Sequence, residues 1–329
     1  MLSKTRVWAV TLATASCVFV VFVPVVPARA CSVCQAGDPL FSSNGATAQE
    51  QGTLSAYLEV MGWRKTSGLL PEAADAEPEP GREVNQSQQL TVFVGWTPLD
   101  RLTVTLAAPW RFNDIQEEPD GEEPVRSRLN GFSDLSLHVG YVLWRNRDVL
   151  PSTWVEARGF GKAPTGKSSQ SVNGVQDPHL QLGTGSWDFG FGLAGAHRLE
   201  WGSLYASVLY RENLMGSLDY RYGDVVLANL TLETPLSHFM ENPILGALTP
   251  GVELNFRCAE KDRSDGANYQ DSGGSLLLAT PTLRIRLPWL ADQRPPFLRL
   301  AVQIPFTQTW LNGQQHEGPV WSAGLGMAY

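Results

Sequence analysis

Asp134-Leu135-Ser136-Leu137-His138-Val139-Gly140-Tyr141-Val142-Leu143 puts an apolar side chain at every second position, Leu135, Leu137, Val139, Tyr141 and Leu143, with Asp134, Ser136, His138 and Gly140 between them. Successive side chains of a β-strand point to opposite faces, so the stretch reads as a strand with one oily and one wet face. The same rhythm returns in Val226, Ala228, Leu230 and Leu232, in Val252, Leu254 and Phe256, in Leu283, Ile285 and Leu287, and in Leu298, Leu300, Val302, Ile304 and Phe306. A soluble β-sandwich alternates too, so the rhythm establishes strands and other features must decide what they build.

The wet faces carry charge in strand after strand: Glu59, Arg101, Asp134, His138, Glu156, Arg158, Asp188, Arg211, Glu233, Glu253, Arg257, Arg284, Arg286 and Arg299. A dry sandwich core would not tolerate them, whereas a watery or salt-bridged lumen would. The sequence therefore predicts an all-β, transmembrane antiparallel up-and-down barrel with oily groups toward lipid and ionised groups inward. Trp63, Trp96, Trp110, Trp144, Trp154, Trp187, Trp289, Trp310 and Trp321 fall near predicted strand ends, where an aromatic girdle meets the head groups. Connections alternate between short ones (96–100, 146–148, 199–202) and long ones (66–85, 111–130, 163–183, 259–273, 307–317), as periplasmic turns and external loops do. The chain ends on an aromatic strand in which Trp321, Ala323, Leu325, Met327 and Tyr329 share a face, resembling the signal read by the barrel assembly machinery.

Counting segments gives strands at 53–65, 86–97, 101–110, 132–145, 152–162, 185–197, 203–212, 224–234, 249–258, 275–287, 296–306 and 319–329. There are about 12, an even number that returns both ends of the barrel to the periplasmic side.

Residues 1–30 read as a cleaved signal peptide: Lys4 and Arg6, an apolar run from Val7 to Val26, then Ala28-Arg29-Ala30. Pro24 and Pro27 argue against a retained anchor, and Ala28 and Arg29 against a lipidation signal at Cys31. Lys4, Arg6 and Arg29 leave with it and no acid does, so the formal charge of -8 becomes -11. That acidity opposes nucleic-acid binding. No later run approaches the roughly 18 apolar residues of a transmembrane helix. The expected location is the bacterial outer membrane, among its lipid and lipopolysaccharide.

Residues 31–52 form an expected periplasmic segment opening with Cys31-Ser32-Val33-Cys34, ahead of the barrel at 53–329. A disulfide is the favoured reading of the pair, and a soft metal shared by Cys31 and Cys34 the alternative. Gln35 replaces the histidine that c-type haem attachment would need, and no cofactor is expected. Asp134, Ser136 and His138 supply the residue types of a hydrolase triad. Residues two apart on a strand are about 6.6–6.8 Å apart, which strains bonding along such a row, so an enzyme is not expected. Acidic clusters fall in the first long loop (Glu72, Asp75, Glu77, Glu79, Glu83) and the second (Asp114, Glu117, Glu118, Asp120, Glu122, Glu123). They read as solvated loops, or as sites for the divalent ions that bridge lipopolysaccharide.

Gly131-Phe132-Ser133-Asp134-Leu135, Pro164-Thr165-Gly166 and Leu182-Gly183-Thr184-Gly185-Ser186-Trp187-Asp188 are similar to stretches of the outer-membrane transporters named after the meta-cleavage pathway of phenol degradation. The resemblance covers most of the mature chain. It implies a barrel that passes a small hydrophobic or aromatic solute passively. A barrel serving structure or binding, its CxxC segment touching a metal or redox partner, is the alternative.

Overall fold

The computed structural model describes residues 50–66, 83–117, 125–148, 151–174, 176–268, 272–291, 294–307 and 316–329. The signal segment, Cys31, Cys34, Trp310 and most of both acidic loops lie outside them.

Alternation closes into a barrel. Strands β1 (Leu54–Thr66), β2 (Glu83–Leu99) and β3 (Leu102–Glu117) pair in sequence order, and β3 continues into β4 (Val125–Phe132) and β5 (Leu135–Arg145). The wall runs on through β6 (Thr153–Ala163), β7 (Asp188–Arg198) and β8 (Ser203–Asn213). A two-residue strand, β9 (Tyr220–Arg221), lies off the wall, which resumes with β10 (Val225–Glu233) and β11 (Leu248–Ala259). Two further short strands, β12 (Arg263–Ser264) and β13 (Ala267–Asn268), join β9 in a separate three-stranded sheet. The wall finishes with β14 (Gly274–Arg286), β15 (Phe297–Thr307) and, after the short β16 (His316–Glu317), β17 (Val320–Ala328).

Strand β17 pairs with β1 as well as β15, so the sheet has no edge and the wall has 12 antiparallel strands, as the alternation predicted. Closure satisfies the backbone donors and acceptors that lipid cannot. Leu54 and Tyr329 exchange backbone hydrogen bonds of 3.1 and 2.8 Å at the end of the barrel that carries the short turns.

The apolar set faces outward. Leu90, Val92 and Val94 of β2, Leu137 and Tyr141 of β5, Val252 and Leu254 of β11, and Leu300, Val302 and Ile304 of β15 are all exposed. Trp96, Trp144 and Trp289 stand exposed toward the turn end, and Phe112, Phe132, Trp187 and Trp321 toward the loop end, as a girdle requires. Trp321, Leu325 and Tyr329 are exposed and alternate with inward Gly324 and Gly326. Leu254 sits mid-strand on this belt, 45% exposed. Leu254→Arg is expected to cost about 2–4 kcal/mol, the penalty of a cation at the bilayer midplane. Urea unfolding in lipid vesicles measures it, and the same change at Glu260, beyond the end of β11, should be far milder.

Four expectations need correction. Residues 111–130 are not one long loop: β3 and β4 rise as a hairpin past the wall, because Trp110 and Phe112 extend the outward row and Arg111, Asn113 and Ile115 the inward one. Asp114, expected in a solvated loop, is on β3 and pairs with Arg126 at 2.5 Å and Arg128 at 3.2 Å. The strand expected over 132–145 is broken at Ser133-Asp134, where β4 ends and β5 begins. Trp154 does not join the girdle: it points inward, only 4% exposed, against Val142, Ala194 and Tyr205.

Candidate functional site within the lumen

The inward charges form a layer across the turn-end half of the lumen. Glu253 accepts from Arg299 at 2.6 Å, Glu233 from Arg284 at 3.1 Å, and Glu156 from Arg158 at 2.7 Å. The first pair is almost wholly out of water, at 1% and 5% side-chain exposure. A chain of amides and hydroxyls continues it, from Thr280 to Asn255 (2.6 Å), Asn255 to Asn229 (2.8 Å) and Asn229 to Ser207 (3.2 Å). Inward side chains at midheight are buried around the wall, from Glu59 and Phe93 through His138, Arg158 and Tyr205 to Thr231, Glu253 and Arg299. Side chains therefore fill the lumen at this level. Twelve strands lie between the eight-stranded barrels that side chains can fill and the porins of 16–18 strands that hold an aqueous channel. Arg158 also lies over the Tyr205 ring, 5.7 Å from its centroid.

The structure places the expected lumen residues unevenly. Glu59, Asp134, His138, Glu156, Arg158, Asp188, Arg211, Glu233, Glu253, Arg257, Arg284 and Arg299 are buried or half-buried on the inner face. Arg101 instead occupies the turn between β2 and β3, and Arg286 is exposed at the end of β14, donating to the Gly246 carbonyl at 2.7 Å. Cys258 is a free thiol on the outward row with Phe256.

Above the ion-pair layer the loop between β6 and β7 folds back into the mouth, and one carboxylate anchors it. Asp134, at the β4–β5 break, accepts the backbone N–H of Gly166 at 2.9 Å and of Thr184 at 2.8 Å, plus the Thr184 hydroxyl at 3.1 Å. Lys162 adds ion pairs of 3.2 Å to Asp134 and 2.5 Å to Asp188. Ser133 and Lys162 close the junction with short hydrogen bonds to the Leu182 carbonyl and the Thr184 hydroxyl. Gly166 and Gly183 must be glycine here, since a Cβ on Gly183 would lie 2.4 Å from the Asp134 Oδ1 and 2.9 Å from the Gly166 backbone. The three motif stretches thus meet at one point.

The loop then spans the mouth. Asn113 on β3 donates to the carbonyls of Leu180 (3.0 Å) and Gln181 (3.2 Å), and Tyr222 donates to the Pro178 carbonyl at 3.0 Å. Tyr220 donates to Asp262 at 2.5 Å and meets His179 edge to face, which ties in the β9–β12–β13 sheet. His179 and Asp177 pair at 3.1 Å. Burial raises the Asp177 carboxyl, but hydrogen bonds and charge from His179 outweigh it and hold its pKa below the usual value. A depressed carboxylate stabilises the fold above its unfolded pKa, and the contribution fades as pH falls through the folded value. Acidification below about pH 4 is therefore expected to speed proteolytic cutting of the 164–187 loop. Asp177→Asn should be cut faster at neutral pH and respond less to acid.

Beneath the loop remains a cavity of about 140 Å³. Met61, Phe93, Phe160, Leu182 and Tyr222 give it apolar walls, and Arg111, Lys162 and Arg211 bring cations to it. Lys162 and Arg111 were not among the expected lumen residues. Lys162 continues the inward row of Glu156, Arg158 and Phe160, and Arg111 continues that of Ala107 and Pro109, so the alternation could have found both.

Asp134, Ser136 and His138 do not assemble into a triad. Ser136 Oγ and His138 Nε2 do approach to 3.1 Å, closer than strand spacing suggests, because the side chains lean along the strand. Asp134, the remaining triad candidate, directs both oxygens to the loop.

Fold and lumen define a transmembrane barrel of 12 strands, filled at midheight and hollow toward its loops. Among solved structures, the COG4313 outer membrane channel from Pseudomonas putida F1 superposes with a TM-score of 0.58 at 14% identity, over 86% of this chain and 97% of that one. The translocator domain of autotransporter NalP from Neisseria meningitidis gives 0.42 at 12% identity, over 87% and 91%, and a Pseudomonas aeruginosa FadL homologue 0.39 at 10%, over 92% and 97%. At 14% identity the likeness to the first of these is one of fold. No protein-family model and no curated protein matches the sequence.

Proposed function

We propose that the protein is an outer-membrane channel that passes a small, hydrophobic or aromatic molecule passively, with its turn end in the periplasm and its loops outside. The cavity under the 164–187 loop, directly above the ion-paired layer, carries this reading: it is a place for a solute to pause before a constriction. The expected signal peptide, the aromatic last strand and the apolar belt support export and insertion by the barrel assembly machinery. Contact of the outward face with lipopolysaccharide fits the Arg126 and Arg128 pair above Phe112 and Phe132. Passage requires the midheight side chains to yield, so wild-type conductance should be small and intermittent. Purified protein in planar bilayers tests the proposal: discrete conductance steps are expected, and complete silence, together with no solute uptake into proteoliposomes, overturns it.

A further inference from the structure

We propose that the cavity under the 164–187 loop binds a small carboxylate with a single-ring apolar body, its carboxylate held by Arg211. The inference deepens the channel reading by naming the class of solute.

The argument starts from Arg211 on β8. Lys162 is committed to Asp134 and Asp188, and Arg111 Nε donates to Gln89 Oε1 at 2.8 Å. Arg211, by contrast, makes no ion pair or hydrogen bond among the described residues, and its buried Nε has no partner. A guanidinium keeps its charge at any physiological pH, and an unpaired one turned into a part-apolar cavity pays for desolvation without return. A carboxylate supplies what is missing, because its two oxygens match the fork of the guanidinium.

The rest of the wall fixes the body of the ligand. Phe93, Phe160, Met61 and Leu182 offer apolar and ring surfaces, and the cavity of about 140 Å³ is close to the roughly 150 Å³ that holds one benzene in an apolar protein cavity. Asp134 and Asp188 stand on the same wall but are occupied by Lys162, so they do not repel an anion lodged at Arg211 as free carboxylates would.

The test uses the full mature protein in detergent micelles, titrated calorimetrically with benzoate and with benzamide, its neutral isostere. Benzoate is expected to bind at least about ten-fold more tightly than benzamide, about 1.4 kcal/mol. Arg211→Gln should abolish the difference while leaving benzamide binding unchanged, and Arg211→Lys should keep part of it. Heat-modifiable gel mobility checks that each variant is folded. Equal binding of the two probes to wild type, no binding of either, or an undiminished preference in folded Arg211→Gln overturns the assignment. Because the readout is equilibrium binding, it is independent of bilayer conductance. A conducting protein indifferent to benzoate keeps the channel and loses the carboxylate, and a silent protein that prefers benzoate does the reverse.

Discussion

Asp134→Ala is expected to release the 164–187 loop from the lumen. The substitution removes the acceptor for two backbone N–H groups and one hydroxyl and leaves Lys162 with Asp188 as its one paired carboxylate among the described residues. Each buried donor left unsatisfied costs about 1–3 kcal/mol, so three of them weaken the docked loop by about 3–9 kcal/mol. The barrel itself should survive, because the wall hydrogen bonds do not pass through Asp134. Conductance in planar bilayers should rise several-fold, and protease should cut within 164–187 while the wall stays resistant. Gly183→Ala tests the same junction by overcrowding, since its new Cβ would collide with the Asp134 carboxylate. If Asp134→Ala and wild type conduct alike and resist protease alike, the loop is held by other contacts and this account of the anchor is wrong.

Glu253→Ala should produce the largest change in the wall. Arg299 would stay buried without the carboxylate it donates to, with only the charge of Glu59 near it, and breaking one side of a buried pair costs about 3–5 kcal/mol. A lumen can relieve such a charge by admitting water, which a closed core cannot. The expected result is a lower unfolding temperature together with a wider, more persistent conducting state. Removing both charges, as Glu253→Ala with Arg299→Leu, should restore part of the stability, since the apolar replacement removes the orphaned cation. It should leave the extra conductance smaller than in the single variant. A single variant as stable and as narrow as wild type would show that the pair does not shape the constriction.

The two variants act at different depths. Asp134 controls entry to the cavity from the loop end, and Glu253 belongs to the layer on which the cavity ends. Because the two act in series, freeing the loop should raise conductance by a larger factor in a Glu253→Ala background than in wild type.

The sequence by itself determined the barrel. A period of two with charge on one face of strand after strand has no other way of meeting both lipid and water, and the aromatic rims and alternating connection lengths follow from crossing a bilayer. It also identified the inward face well enough to include Glu253, Arg299, Glu233 and Arg284, because parity along a strand is a local property. Where β3 ended was less plain: the row from Trp110 to Phe112 continues, yet the acids that follow read as a loop. Tertiary structure decided who pairs with whom. Glu253 meets Arg299 from two strands away, and Asp134 finds partners in residues 166 and 184, because barrel closure and loop refolding bring together positions that no spacing links. The inward turn of Trp154 and the isolation of Arg211 are of the same kind. Whether an inward side chain ends in a rim, a packed lumen or a cavity depends on what arrives opposite it, and that is fixed only once the whole wall has closed.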